Sequence, residues 1–423
     1  MKEIDEKKLL EKIDFIPHSG QIPVIESSAR ETVICAGRRF GKSAVCGYIV
    51  LRELLKPNRR VWIVAPTYDL TKKVFDYVIQ FLAKAAPSQL NNIKSKPYPS
   101  IRTDWGSWLE CKSAENPTSL LGEELDLIVI DEAAMISKGI YETYLFPTTS
   151  SRQGRIVFIS TPRGENWFWD RFIDCKKTDS SFQFESRVNP SFKPEEWERA
   201  KKMMPQLSFD QEYRAIFLQD SASVFRGING VVGECLKDSQ DGHNYILGVD
   251  LGKANDFTVM TVVDTYNNNV VYWDRFNTID WNLQKARIKA IHQRYNNARV
   301  IIDSTGLGSP VTEDLQRSGV FTDDYVLSGK SKNFLIEKLS IFIEQKEIVI
   351  PSNDTLIDEL RQYGYEFGDS GKMIYNAPEG KHDDCVISLA LAVWGLNGKA
   401  NPMTALEKRI QESKKKRHNK NYI

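Results

Sequence analysis

The chain is predicted to be α/β, with a largely parallel sheet in its first half and a mixed sheet in its second. Three observations predict this. From Thr32 to Thr161, short and continuously apolar runs alternate with helix-like segments, the pattern of strands buried on both faces. A second set of apolar runs opens at Tyr245, and a helical period takes over only after the third of them, which suits an antiparallel start to a mixed sheet. Between the two sets, residues 189–223 are polar and helical in character, with proline punctuation and no strand run.

In order, the first half reads as the strand TVICA, a helix from Ser43 to about Leu55, the strand VWIVAP, a helix near Leu70 to Ala85, and the strands WLECKS, LDLIVID and RIVFIST. The second half reads as the strands YILGVDLG, FTVMTVVD, VVYWDRF and ARVIIDS, amphipathic helices after Ser309 and Ser331, the strand IVIP, and a last helix HDDCVISLALAVWGL. The expected domains are 1–185, a lid or linker at 186–225, 226–399, and a basic, disordered tail at 400–423 that suits docking or DNA tethering.

A length of 423 residues with 41% hydrophobic content supports a core in each of two domains. The 57 basic and 56 acidic side chains leave a net charge of +1, so contact with nucleic acid must come from local patches. Six cysteines without a CxxC pair argue against a zinc ribbon or a disulfide framework. No signal-peptide pattern and no run near the roughly 18 apolar residues of a membrane span occurs, which predicts a soluble, intracellular chain.

The segment Ala36-Gly37-Arg38-Arg39-Phe40-Gly41-Lys42-Ser43 follows a strand and opens a helix, the setting in which backbone N–H groups and a helix N-terminus cradle phosphates. Lys42 is placed to neutralise the β- and γ-phosphates of ATP, and Ser43 to ligate Mg2+. Ala36 stands where such loops begin with glycine, and Gly37 comes one place late. Downstream, an apolar strand ends in Asp131 for the metal and Glu132 as base. Ser160, Thr161 and Pro162 end another strand, where the hydroxyls can sense the γ-phosphate. Upstream, the Gln21 amide offers the paired donor and acceptor that adenine requires.

The second half carries Asp250 within one apolar strand, Asp303 at the end of another, and Asp383 and Asp384 at the start of the last helix. Buried carboxylates are costly unless they are paired or bind cations. Converging on one sheet face, they can hold two divalent ions, Mg2+ or Mn2+, about 4 Å apart against a phosphodiester. Lys330 and Lys332 are suited to DNA phosphates, which position a protein without encoding sequence.

The ordered set AGRRFGKS, LDLIVIDEA, STP, the NPSF to FDQEYRAIFL linker, GVDLG, VIIDSTG and HDD resembles the large terminase subunit of tailed bacteriophages across nearly all of residues 15–395. The resemblance implies a RecA-like P-loop ATPase with a helical lid, joined to an RNase H-like nuclease. It implies a motor that threads double-stranded viral DNA into a procapsid and cuts concatemers. The implied partners are a portal protein, a small terminase subunit and other copies of the chain in a pentameric ring. The implied location is the host cytoplasm, transiently on the procapsid and not in the mature virion. It assigns Gln21 to adenine, residues 36–43 to phosphates and magnesium, Asp131 and Glu132 to hydrolysis, Thr161 to coupling, and Asp250, Asp303 and Asp383 or Asp384 to the nuclease metals. One departure is Leu121, where many relatives carry an arginine expected to reach a neighbouring subunit's ATP; either another arginine serves, with Arg38, Arg39, Arg102, Arg152 and Arg163 all candidates, or activation in the ring differs, and the expectation is Arg39 in cis and Arg163 in trans. A repair helicase-nuclease needs a second motor domain that is not visible here. A portal-docking protein with vestigial sites sits poorly with intact Lys42, Glu132, Asp250 and Asp303.

Overall fold

The computed structural model describes residues 5–218, 223–252, 257–277, 280–305, 308–368, 373–378 and 380–396, so the expected basic tail lies outside the described residues. The described residues fall into two compact units, one running to residue 224 and including 363–376, the other spanning 225–362 and continuing from 377.

The first unit is built on an eight-stranded sheet: β1 (Glu31–Ala36), β2 (Arg60–Ala65), β3 (Ile93–Lys94), β4 (Ser100–Arg102), β5 (Trp108–Ser113), β6 (Leu127–Asp131), β7 (Arg155–Ser160) and β8 (Ser181–Phe184). Their spatial order is β3-β4-β5-β2-β6-β7-β1-β8. All pairings are parallel except β3 with β4 and β4 with β5. Alternation along each central strand divides its side chains between two cores. Ile34, Val61, Ile63 and Val129 pack with the helices Lys42–Leu54 and Tyr68–Ala85. Val33, Val64, Ile128 and Ile130 pack with the helix Trp167–Lys176. Each such fully buried side chain contributes roughly 1.5–3 kcal/mol, which is why these strands read as unbroken apolar runs. Because β6, β7 and β1 are adjacent and parallel, their C-terminal ends lie side by side. Those ends are Asp131, Ser160 and Ala36. The expected linker contains the helices Pro194–Met203 and Gln206–Glu212, and it clusters with the first unit.

The second unit begins with the short β9 (Val232–Gly233), followed by β10 (Tyr245–Asp250), β11 (Thr258–Asp264), β12 (Val270–Phe276), β13 (Arg299–Asp303) and β14 (Thr322–Tyr325). The five-stranded sheet has the order β12-β11-β10-β13-β14. The β10–β11 and β11–β12 pairs are antiparallel, while β10–β13 and β13–β14 are parallel. This is the mixed sheet with an antiparallel start. β15 (Ile350–Pro351) pairs with β9. The helix Asp384–Gly395 lies directly on β10: a Cβ added to Gly248 would come within 2.3 Å of Ser388 O and 2.5 Å of Ala392 N.

The hairpin of β16 (Gly364–Phe367) and β17 (Met373–Asn376) differs from expectation. The sequence places it in the second domain, but it clusters with the first unit. Val224 N donates to Tyr363 O at 3.0 Å, and the Phe367 ring occupies the space beside Gly164. A Cβ on that glycine would meet the ring at 2.4 Å, and its φ of +64° independently favours glycine.

Candidate active sites

In the first unit, the loop from Gly37 to Gly41 links β1 to the helix Lys42–Leu54. Arg39 and Gly41 both take left-handed backbone conformations, with φ of 64° and 100°. The late glycine, Gly37, has a physical reason. A Cβ there would stand 2.4 Å from Tyr213 O and 2.9 Å from Ser186 N, so only glycine lets these two backbone segments close over the loop. The linker is bound to the same loop, since Arg38 N donates to Glu212 O at 2.7 Å. Phe40 is buried and stacks on Phe184. Gln21, 3% exposed, braces the loop: its Oε1 accepts from His18 N at 3.2 Å and its Nε2 donates to Gly41 O at 3.1 Å.

Lys42 Nζ donates to the Ala36 and Gly37 carbonyls. Burial lowers its pKa, partly offset by Glu132 and Asp131. Ser43 follows it in the first turn of the helix. Asp131, 3% exposed, is pushed up to about 7 by burial and by the charge of Glu132, against the pull of Lys42. Such a carboxyl is primed for a cation, because a cation removes the cost of ionising it in a buried position. Glu132 sits at φ 51°, and its Oε2 lies 3.5 Å from Ser160 Oγ. The base expected from β6 and the hydroxyls expected from β7 are therefore neighbours. Thr161, next in the chain, is buried.

Sequence reasoning missed Glu212. Its carboxylate binds Arg38 at 2.5 Å and Arg163 Nη1 at 2.8 Å. Arg163 is thus paired within its own chain. Arg102 and Arg152 also have partners in the same unit, Glu110 and Asp126. Glu212 lies in the FDQEYRAIFL stretch that carries the resemblance, but its pairing with the loop comes only from the fold.

In the second unit, Asp250 ends β10 and Asp303 ends the adjacent β13, while Asp383 and Asp384 begin the last helix. Asp250 is pushed well above the ordinary carboxylate range, first by burial and then by Asp384, Asp303 and Asp383, with Lys332 acting in the opposite sense. A buried acid raised by neighbouring acids in this way fits divalent cations. Among the described residues no three His, Cys, Asp or Glu side chains stand close enough to form a metal cage. Asp303 Oδ1 accepts from Thr305 N at 2.9 Å, Asp383 Oδ2 from Lys332 Nζ at 3.0 Å, and Asp384 Oδ2 lies 3.4 Å from His382 Nδ1. Of the Asp383/Asp384 pair, Asp384 acts more strongly on Asp250. Lys332 is thus tied to the acidic cluster, and Lys330 lies two residues before it in the same helix, Gly329–Glu344.

Family models match both units: "Terminase large subunit, T4likevirus-type, N-terminal" over residues 33–229 and "Terminase RNaseH-like domain" over residues 247–394. The chain is 32% identical to the terminase large subunit of Thermus virus P23-45, over 93% of this chain and 90% of that one. It is 26% identical to the terminase large subunit of Escherichia phage T5, over 89% of each. The large terminase of bacteriophage D6E shares the fold, with a TM-score of 0.56 at 13% identity, over 89% of this chain and 98% of that one.

Proposed function

Since the chain belongs to the terminase large subunit family, whose members combine an ATPase with an RNase H-like nuclease, we propose that it drives double-stranded DNA through a portal into a procapsid. We propose also that it cuts concatemeric DNA. The observation that supports this most is the presence in one chain of a phosphate loop beside Asp131 and Glu132 and of a second sheet whose acids raise Asp250.

In the first unit, Lys42 leaves the loop carbonyls to meet the β- and γ-phosphates, and Gln21 reads adenine from the base of the same loop. Ser43 and Asp131 would hold Mg2+, which screens the phosphate charge. Glu132 orients and deprotonates the attacking water. Ser160, within reach of Glu132, and the adjacent Thr161 register loss of the γ-phosphate. Arg38 and Arg163, bound to Glu212, tie that event to the linker helix. In the second unit, Asp250, Asp303 and Asp384 would hold two divalent ions, which activate water and stabilise the leaving oxygen. Asp383 stays with Lys332 at the edge of the cluster. Other copies of the chain in a pentameric ring, a portal protein and a small terminase subunit complete the machine in the host cytoplasm. Among the described residues no helix is long and apolar enough to cross a membrane.

The test is cleavage of supercoiled plasmid in Mg2+ or Mn2+ by wild type and Asp303→Ala, alongside ATP hydrolysis with and without DNA. The expected result is nicking and linearisation by wild type only, with equal ATPase rates. Equal cleavage by both proteins would refute the assignment of Asp303.

A further inference from the structure

The helix that carries Asp384 has an N-terminus capped from elsewhere. A helix leaves its first N–H groups without intrahelical partners, and an aspartate at the N-cap position ordinarily accepts from one of them. Asp383 occupies that position but makes no cap hydrogen bond; its carboxylate is turned to Lys332. The bond comes instead from the helix Asp354–Gln362, where Glu359 Oε2 accepts from Cys385 N at 2.9 Å and Oε1 lies 3.1 Å from Cys385 Sγ.

Glu359 is costly to place there. Its side chain is 10% exposed, close to a cluster that already contains four aspartates. Arg275 offsets part of that charge: Nη2 lies 3.7 Å from Glu359 Oε1, and the guanidinium sits over the Phe257 ring. Phe257 in turn packs edge-on against His382, which approaches Asp384. The residues around Asp384 thus run from Glu359 through Arg275, Phe257 and His382 back to the aspartate.

We propose that Glu359 is a positioning residue for the nuclease site. By capping the helix at Cys385 it fixes the peptide next to Asp384, and it spares Asp383 the capping role so that Asp383 pairs with Lys332 while the Asp384 carboxylate can face cations. The inference rests on the metal-site reading given above. Outer groups that orient metal ligands typically change metal affinity on the order of 10–100-fold when lost.

Two substitutions separate reach from charge. Glu359→Asp keeps the charge beside Arg275 but falls one methylene short of Cys385 N; Glu359→Gln keeps the reach and an acceptor oxygen but loses the charge. Mn2+ binding by calorimetry and plasmid cleavage across a Mn2+ titration are measured on the full chain. The expectation is that Glu359→Asp binds Mn2+ about 10–100-fold more weakly, that Glu359→Gln loses less, and that cleavage by both recovers as Mn2+ is raised. ATP hydrolysis stays at the wild-type rate. Wild-type Mn2+ affinity in Glu359→Asp, a larger loss in Glu359→Gln than in Glu359→Asp, or lost cleavage with unchanged Mn2+ binding each overturns the proposal. Wild-type protein that takes up no Mn2+ overturns the metal reading itself, a separate outcome visible before any variant is compared.

Discussion

Gly248→Ala is the sharpest test of how the second unit brings its acids together. Gly248 lies two residues before Asp250 on β10, and the helix Asp384–Gly395 packs against it backbone to backbone. Ser388 Oγ, 3.0 Å from Gly248 O and 2.9 Å from Thr261 Oγ1, holds the helix in place. A methyl group at 248 would meet Ser388 O at 2.3 Å and Ala392 N at 2.5 Å, whereas ordinary contact begins at 3.4 Å. Both atoms are backbone, so no side chain can turn aside, and the helix must back away by about 1 Å, a displacement that can cost on the order of 100-fold in rate. Overpacking of this kind destabilises by roughly 1–3 kcal/mol, or about 2–4 °C in melting temperature per kcal/mol for a domain of this size. The assay is a plasmid-nicking time course at saturating Mn2+, with a thermal melt and an ATPase control. The expected outcome is a drop in cleavage of about 100-fold, a second-unit transition lowered by several degrees, and unchanged ATP hydrolysis. Wild-type cleavage with an unchanged melt would show that the helix does not depend on this close approach, and the reasoning would fail.

Two further predictions concern the first unit. Gly37→Ala pushes the backbone at Tyr213 and Ser186 off the phosphate loop; by the same overpacking cost of about 1–3 kcal/mol, ATP affinity measured with a non-hydrolysable analogue should fall, with plasmid cleavage unaffected. For Glu212, burial alone would raise the carboxyl, but Arg163 and Arg38 outweigh it and hold the group below its ordinary value of 4.5. A lowered folded-state pKa contributes stability that is present above 4.5 and lost as pH falls through the folded value. Melts from pH 7 to 3 should therefore drop more steeply in wild type than in Glu212→Gln. Most of the effect belongs to Arg163, 20% exposed, because Arg38 is 61% exposed and screened by solvent. Parallel pH profiles for the two proteins would dismiss the pair as a stabilising contact.

The central strands were legible because residues such as Val33 and Ile34 are buried on both faces, so apolar character does not alternate away. The pieces that escaped are those with weak or split patterns. β3 and β4 are two and three residues long, and β14 reads Thr-Asp-Asp-Tyr. The helix Trp281–Arg294 buries only four of its residues, two of them Gln284 and His292. In the candidate sites, Asp131 and Asp250 sit where strand ends announce them, and Lys42 where a helix opens after a glycine loop. Glu212 and Glu359 sit on helices and gain meaning only from what the fold sets opposite them. Gly37 was visible as a displaced glycine, yet its reason, the backbone of Tyr213 and Ser186, lies more than 140 residues away in sequence.

The hairpin at 363–376 has a consequence for how the chain comes off the ribosome. The first unit runs to Val224 but includes a segment that is made much later. At 5–20 residues per second, the roughly 150 intervening residues take on the order of ten seconds or more to synthesise. Through that interval Tyr363, Tyr375 and Phe367 have yet to arrive, and the surface around Gly164 stands bare. The nascent first unit is incomplete until the second is almost wholly translated. A stop codon or a proteolytic cut between the two bodies would therefore leave a damaged first unit as well as remove the second.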